Sequence, residues 1–271
     1  MKSKLLLPFS ALCFFLAGFS AHGQSFPRVG FAGLIITNVV GATQLGGGGG
    51  SFTPAAGYFG YWDADDLTGA NNDAKLTWTD KSTNAWQLSG STVLKTSAVN
   101  GHNAAWFGAT TNGMQVAAPA SAGTLFCAFI VAKLDALPDT SNPIFFSTTN
   151  ANVYFQAFDP SSQHALRWNS GSSIITPTGS IFPIGTNWCV YTVQRTAYNV
   201  STIYTNGVLL ATEDGGNLNI EGLRLGYLSA GNNVFHGQIA CFLPYTNSLT
   251  TQQIQDNVSG LGSKYGITIP F

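Results

Sequence analysis

Charged residues are scarce in this chain. Lys, Arg, Asp and Glu together make up 8% of its 271 residues, against roughly 25% in typical soluble proteins. The formal net charge is −1, so there is no basic stripe of the kind that binds nucleic acid or an anionic membrane surface. Gly, Ser, Thr and Asn are abundant instead. A surface wetted by hydroxyls and amides favours neutral polar ligands.

Glutamate is rarer still, since only Glu213 and Glu221 occur in the whole sequence. A glycosidase needs two carboxylates that flank the scissile bond, and neither glutamate has a carboxylate partner two or four residues away. The sequence also lacks a Gly-x-Ser-x-Gly nucleophile elbow. We therefore expect a protein that is not an enzyme, and a glycan-active enzyme is the least favoured alternative.

Cysteine is limited to four residues. Cys13 lies in an N-terminal apolar run, and Cys127, Cys189 and Cys241 each lie in an apolar, strand-like run. Three cysteines allow at most one internal disulfide, and their spacing matches no zinc motif. We interpret them as buried free thiols that act as small hydrophobic residues, with the disulfide state left open.

The N-terminus has the pattern of an export signal. Lys2 and Lys4 precede an apolar run of 15 residues at 5–19, and Ala21-His22-Gly23 supplies small residues where a signal peptidase reads them. This predicts a signal peptide at 1–23, a secreted, extracellular or periplasmic protein, and no membrane span after cleavage. A retained anchor is the alternative, although a spanning helix needs about 20 apolar residues.

Residues 24–50 form a separate N-terminal arm. Its apolar stretch VGFAGLIITNVV at 29–40 is followed by five consecutive glycines at 46–50, and a glycine run behaves as a flexible linker. The apolar stretch suits an edge strand, a membrane-adjacent peptide or self-assembly through residues 29–40.

The body of the chain, residues 51–271, reads as many short strands separated by turn signals. The runs TLFCAFIVAKL at 124–134 and QIACFLPY at 238–245 are apolar at both alternation phases, which predicts strands buried on both faces. Asn206-Gly207 interrupts IYTNGVLLAT and predicts a hairpin turn. Such spacing indicates an all-β sandwich.

Helical periodicity occurs only after Ser248. Thr250 and Gln253 have capping-box spacing, and apolar residues then recur on one helical face (Ile254, Val258 and Leu261). We therefore predict one short C-terminal helix.

Four short motifs resemble those of a known family. They are Trp62 before an Asp63-x-x-Asp66 element, Trp78-Thr79-Asp80-Lys81-Ser82, Asn100-Gly101 before Phe107-Gly108, and a closing Lys264-Tyr265-Gly266. In this order they resemble the concanavalin A-like (laminin-G-like) jelly-roll modules of secreted bacterial proteins, over roughly residues 60–267. The resemblance implies a two-sheet jelly-roll sandwich that binds carbohydrate. The Glu-x-Asp-x-Glu motif of catalytic relatives is absent here.

The densest acidic cluster is Asp63, Asp65, Asp66 and Asp73. Hard oxygen ligands from one loop are what calcium takes, so calcium is the candidate cofactor and these four are its candidate ligands. The alternative is that the four aspartates only form turns and strand edges. The EF-hand spacing is absent, because Leu67 stands where the third ligand would be.

Six tryptophans offer surfaces on which sugars could stack. Trp62, Trp78 and Trp188 have apolar neighbours, which predicts burial in the core. Trp168 lies between Arg167 and Asn169 in a polar segment, so these three residues are the candidate ligand-binding site, with Trp168 as an exposed platform. Packing of Trp168 in the core or at its rim is the alternative.

These observations favour an exported, non-catalytic carbohydrate- or surface-binding module whose partner is a glycan or another cell-surface or extracellular component. A structural or assembly protein of an envelope, matrix or virion surface is the alternative, supported by the apolar arm and the low charge.

We expect the exported protein to begin near Gln24, because Ala21-His22-Gly23 follows an apolar core of signal-peptide length. Intact-mass spectrometry of exported material should show the loss of the first 23 residues. An intact N-terminus would contradict this and favour the retained anchor.

Overall fold

A computed structural model describes residues 51–108, 113–116, 125–136, 142–158, 165–176, 186–197, 199–228 and 234–271. The predicted signal peptide and arm lie outside the described residues. Within them the elements in chain order are β1 (Trp62–Asp63), a 3-10 turn (Ala64–Asp66), β2 (Ala74–Thr79), β3 (Gln87–Val99), β4 (His102–Phe107), β5 (Gly113–Val116), β6 (Phe126–Leu134), β7 (Ile144–Ser147), β8 (Val153–Phe158), β9 (Ala165–Ser170), β10 (Ser173–Ile175), β11 (Cys189–Ala197), β12 (Val200–Thr205), β13 (Val208–Asp214), β14 (Leu223–Leu225), β15 (Gly237–Tyr245) and α1 (Thr251–Tyr265).

The strands form one continuous hydrogen-bonded path. Its order is β10-β9-β8-β7-β14-β5-β3-β4-β15-β6-β11-β12-β13, with β2 paired to β3 and β1 paired to β15 beside it. The described strands pair antiparallel along this path. We call β10 to β3 the first half of the path and β4 to β13 the second half.

The two halves pack against each other. Phe126 of β6 stacks on Trp168 of β9 with ring centroids 6.1 Å apart, and Phe146 of β7 contacts Phe242 of β15 at 5.3 Å. All four rings are fully buried in one apolar cluster. The predicted all-β sandwich is therefore confirmed, because the main core lies between layers contributed by opposite halves of the path.

The helix α1 covers the outer face of the second half. Its N-terminus has the predicted capping box between Thr250 and Gln253, and Gly266 ends it in the left-handed conformation at φ 65°. Its apolar face packs with strand residues in a second core cluster (Ile254, Val258 and Leu261 with Phe129, Cys241 and Leu243). No helix in the described part of the chain is long and apolar enough to cross a membrane.

The hairpin between β12 and β13 forms where the sequence predicts it. Asn206 and Gly207 both have positive φ, 49° and 79°, as a type I′ turn requires. The strands it joins pair in register from Val200 opposite Asp214 to Thr205 opposite Val208.

The three cysteines of the sandwich are buried thiols that form no disulfide among the described residues. Cys241 lies in β15, which is hydrogen-bonded to β6 on one side and to β4 and β1 on the other. Its side chain is fully buried, and burial raises the pKa of its thiol. It therefore behaves as a small apolar residue in a central strand.

Replacing Cys241 with Asp should destabilise the sandwich by several kilocalories per mole, because a second carboxylate would be buried close to Asp63, whose lysine partners are already paired with aspartates. Cys241→Ala is the matched control, and we expect a loss of about 1 kcal/mol for it. Chemical denaturation measures both. Equal stabilities of the two variants would contradict the burial of Cys241.

Candidate functional site

The acidic loop forms a buried ion cluster around Asp63. Asp63 ends β1, and its side chain is 1% exposed. Lys264 contacts Asp63 Oδ2, and Lys81 Nζ lies 2.8 Å from the same oxygen. The hydroxyls of Tyr61 and Tyr265 donate to the two carboxylate oxygens, each at 3.1 Å. We call Asp63, Lys81, Lys264 and Tyr265 the Asp63 cluster.

The 3-10 turn after β1 places Asp65 beside this cluster. Lys264 Nζ lies 3.0 Å from Asp65 Oδ2, and His102 Nδ1 lies 2.7 Å from the same oxygen. The backbone N–H of Asn103 donates to Asp65 Oδ1 at 2.9 Å. The turn is thereby tied to β4 and to the last turn of α1.

Electrostatics keeps Asp63 ionised. Burial by itself would raise the pKa of its carboxyl, but hydrogen bonds and charge from Lys264 and Lys81 outweigh burial and lower the pKa to about 2. The same competition lowers the pKa of Asp65, where burial is opposed by Asn103, His102 and Lys264. The negative charges of Asp63 and Asp65 are therefore balanced by the ammonium groups of Lys81 and Lys264.

The four aspartates that are the candidate calcium ligands have partners within the protein. Lysine ammonium groups occupy the positions beside Asp63, Asp65 and Asp66 that a cation would take. Asp73 accepts from Ala70 N–H at 2.8 Å in a separate turn. In the part of the chain that the structure describes, no group of three or more His, Cys, Asp or Glu side chains could hold a metal ion. Calcium binding by these residues stays a prediction.

Trp168 is not an exposed platform, which corrects the sequence prediction. It lies in β9 with its side chain fully buried against Phe126 and Phe146. Successive strand residues point to opposite faces, so Arg167 and Asn169 point away from the core and are half-buried. Trp62 and Trp78 are buried as predicted, whereas Trp188 is half-buried.

Asn169 belongs to a row of polar residues that crosses the outer face of the first half. Each member is directly opposite the next on the neighbouring strand, and opposed residues of antiparallel strands share a face. The members, which we call the polar row, are Ser173, Asn169, Tyr154, Ser147, Arg224, Gln115, Ser89 and Thr77. Eight strands at the usual spacing give it a length of roughly 30 Å.

One end of the row is built around Tyr154. The Arg167 guanidinium lies over the Tyr154 ring, 5.6 Å from its centroid, and donates to Ser173 Oγ at 2.9 Å. Asn169 Nδ2 donates to Ser173 Oγ at 2.8 Å and is 3.2 Å from the Tyr154 hydroxyl. These bonds hold a phenol, an amide and a guanidinium in a fixed arrangement.

Tyr227 lies over the middle of the row. Its backbone carbonyl accepts from Ser147 Oγ at 2.6 Å, and its hydroxyl donates to Gln115 Oε1 at 2.9 Å. The Arg224 guanidinium lies 5.7 Å from the centre of its ring, and Arg224 Nη1 also donates to the carbonyls of Thr148 and Leu228 at 3.1 and 2.9 Å. The row therefore carries two tyrosine rings, each backed by an arginine.

The chemistry of the polar row is that of hydroxyl recognition. Its side chains are hydroxyls, amides, phenols and arginines, and neither they nor Arg167 and Tyr227 include a carboxylate. The sequence reasoning found Arg167 and Asn169 but missed Tyr154, Arg224 and Tyr227. Strand alternation could have placed Tyr154 on a face, but only the pairing of distant strands shows that these residues share it.

A protein-family model matches more than half of the chain. The model Laminin_G_3, described as the concanavalin A-like lectin/glucanases superfamily, matches residues 110–255. The chain belongs to this family. The matched span includes six of the eight members of the polar row, from Gln115 to Arg224, and does not include Asp63. The predicted concanavalin A-like membership is confirmed.

Solved structures share the fold of this concanavalin A-like chain. One is domain 4 of AbnA, a GH43 extracellular arabinanase from Geobacillus stearothermophilus in complex with arabinotriose, with 14% identity, 74% of this chain and 98% of that chain covered, and a TM-score of 0.55. Another is the binding domain of botulinum neurotoxin serotype D. The identity is 10%, the match covers 75% of this chain and 52% of that chain, and the TM-score is 0.57.

A third structure is of botulinum neurotoxin type C, whose cell entry depends on interaction with two ganglioside molecules. The identity is 13%, the match covers 77% of this chain and 52% of that chain, and the TM-score is 0.54. At these identities the similarity shows the fold alone, and the chain spans about half the length of the neurotoxin chains. No curated protein sequence matches this chain.

The stability of the protein should fall by about 2 kcal/mol between pH 4 and pH 2 through Asp63 alone. Its pKa is about 2 when folded and 3.8 in the unfolded reference, so its contribution is present above about pH 4 and is lost as the pH falls through 2. Asp63→Asn should lack this part of the acid sensitivity. Urea denaturation at several pH values measures it.

Asp256→Asn is the matched control, because Asp256 is exposed and accepts one bond from Gln252. It should retain the acid sensitivity of the parent protein. If Asp63→Asn and the parent lose stability in parallel over this range, the Asp63 cluster is not the source.

Proposed function

We propose that this protein is a non-catalytic module that binds a glycan, or a glycan-bearing partner at a cell surface, along the polar row. The observation that carries the proposal is the row itself. It is an extended, aligned set of polar side chains with two tyrosine rings on the face of the first half that points away from the core. All its members except Ser147, which lies buried beneath Tyr227, are at least partly exposed. Its length suits an oligosaccharide of several sugar units.

No carboxylate belongs to the polar row, whose eight members all lie in the described strands, and this supports binding without hydrolysis. Glu213 lies in β13 opposite Ser201 of β12, and Glu221 is exposed in a loop, where its backbone carbonyl accepts from the Thr149 hydroxyl. Neither belongs to the polar row. A general acid and a second carboxylate on either side of a sugar bond are therefore not provided by its members.

Proteins of the same fold support the choice of ligand class. The arabinanase domain is in complex with arabinotriose, and neurotoxin type C uses gangliosides for cell entry. We also propose that the two halves of the strand path are the two sheets of a jelly roll, and that the protein is exported and meets its ligand outside the cell.

The experiment is a glycan array followed by titration calorimetry with the oligosaccharides that bind. Arabinotriose is included as a named probe. Arg167→Met should weaken binding about tenfold, since it keeps the apolar stem and removes charged donors worth about 1.5–3 kcal/mol. Asn169→Ala should weaken it by a smaller factor.

Gln252→Ala is the matched control, because Gln252 is exposed on α1, away from the row. It should bind as the parent does. A parent protein that binds no glycan on the array, or that associates with itself through its N-terminal arm instead, would contradict the proposal and favour an assembly role. Release of reducing sugar would contradict the non-catalytic part.

A further inference from the structure

A cleft of about 640 Å³ lies at the C-terminal end of α1. Its volume falls within the roughly 300–1,000 Å³ of pockets that bind small molecules. It is bounded by the turn between β3 and β4, the start of β11, the turn between β12 and β13, and the residues that follow α1. The side chains that matter are Asn100, Asn187, Trp188, Asn206 and Thr268. We call it the Trp188 cleft.

Among the described residues, no charged side chain lines the Trp188 cleft. Its other lining residues are Ala98, Val99, Cys189, Tyr265, Gly266 and Ile267. Burial raises the pKa of Cys189, so its thiol stays protonated at neutral pH. The Lys133 ammonium lies over the Trp188 ring, 5.5 Å from its centroid, but Lys133 is not part of the lining. Such a cavity disfavours phosphate and carboxylate ligands.

Two amides of the cleft, those of Asn206 and Asn100, are held in place. Asn206 Oδ1 accepts from the backbone N–H of Val190 at 2.8 Å, and Asn100 Nδ2 donates to the carbonyl of Lys264 at 3.2 Å. Both asparagines have positive φ, 49° and 45°, so their turns fix where the amides point. Asn187 is exposed. A ligand therefore meets amides that lose little freedom when it binds.

Trp188 supplies the apolar surface of the cleft. It is half-buried and packs against the second core cluster, with Ile267 and Val99 nearby in the lining. An indole beside neutral amides matches the two kinds of surface on a sugar ring, whose C–H groups are apolar and whose rim carries hydroxyls.

We propose that the Trp188 cleft is a second saccharide site, which binds a neutral sugar ring against Trp188 with its hydroxyls bonded to Asn100 and Asn187. It stands on different residues and a different face from the polar row, and so it does not depend on that site. A module with both sites engages a glycan, or two glycan chains, at two places.

The test uses a panel of neutral saccharides, namely D-glucose, D-galactose, L-arabinose, cellotriose, maltotriose and arabinotriose, with saturation-transfer NMR and calorimetry on the full exported chain. At least one should bind. Trp188→Ala should weaken its binding at least tenfold, and Asn187→Ala should weaken it several-fold. Asn187 is exposed, so its variant reports on the site even if Trp188→Ala fails to fold.

Trp106→Ala is the matched control. Trp106 is also half-buried with a lysine over its ring, at 5.1 Å from Lys95, but it lies in β4 and outside the cleft. It should leave saccharide binding unchanged. Unchanged binding by Asn187→Ala and Trp188→Ala would overturn the proposal.

Combining these variants with Arg167→Met separates the two sites. Binding lost only through Arg167→Met leaves the polar row as the glycan site and overturns the cleft. Binding lost only through Trp188→Ala and Asn187→Ala supports the cleft and contradicts the polar row. If the parent binds none of the saccharides in the panel, the proposal of a saccharide site in the Trp188 cleft is overturned. Binding at the polar row is then still tested by the array, which includes longer and sialylated glycans.

Discussion

The pairing of Asp63 with Lys81 and Lys264 is the constraint on which the rest of the sandwich depends. A carboxylate with 1% exposure is tolerated only because two ammonium groups and two phenol hydroxyls surround it. Those groups come from Tyr61 just before β1, from Lys81 after β2, and from the last turn of α1. One side chain thus joins the beginning of the sandwich to its end and fixes the helix against the second half of the strand path.

The position of α1 makes the outer faces of the two halves different. The helix and the residues before β1 cover the outer face of the second half and give it its own apolar cluster. The outer face of the first half carries polar side chains at the same alternation phase on its seven strands and on the adjoining β2. The asymmetry between the two faces therefore follows from where the helix docks, which leaves the outer face of the first half uncovered by the helix.

Local signals in the sequence predicted the local structure well. The capping box at Thr250, the Asn206-Gly207 turn and the burial of Cys241 each depend on a few neighbouring residues, and each is found in the structure. Trp168 was predicted on the wrong face because its polar sequence neighbours, Arg167 and Asn169, suggested that the indole is exposed as well. In a strand those neighbours point the opposite way.

Predictions that needed distant partners failed or were missed. The four aspartates suggested a metal because the cations that neutralise them come from Lys81 and from Lys264, about 200 residues along the chain. The polar row draws on strands from Thr77 to Arg224, and no window of sequence shows their register.

The Asp63 cluster also sets an order of events during synthesis. Asp63 leaves the ribosome early, whereas Lys264 and Tyr265 are 201 and 202 residues away. Until the last turn of α1 has been made, β1 has no ammonium from Lys264 and β15 has no helix over Cys241. The contacts of β1 with β15 and with Lys264 can therefore form only after nearly the whole chain has been made, so they are late, long-range events of folding.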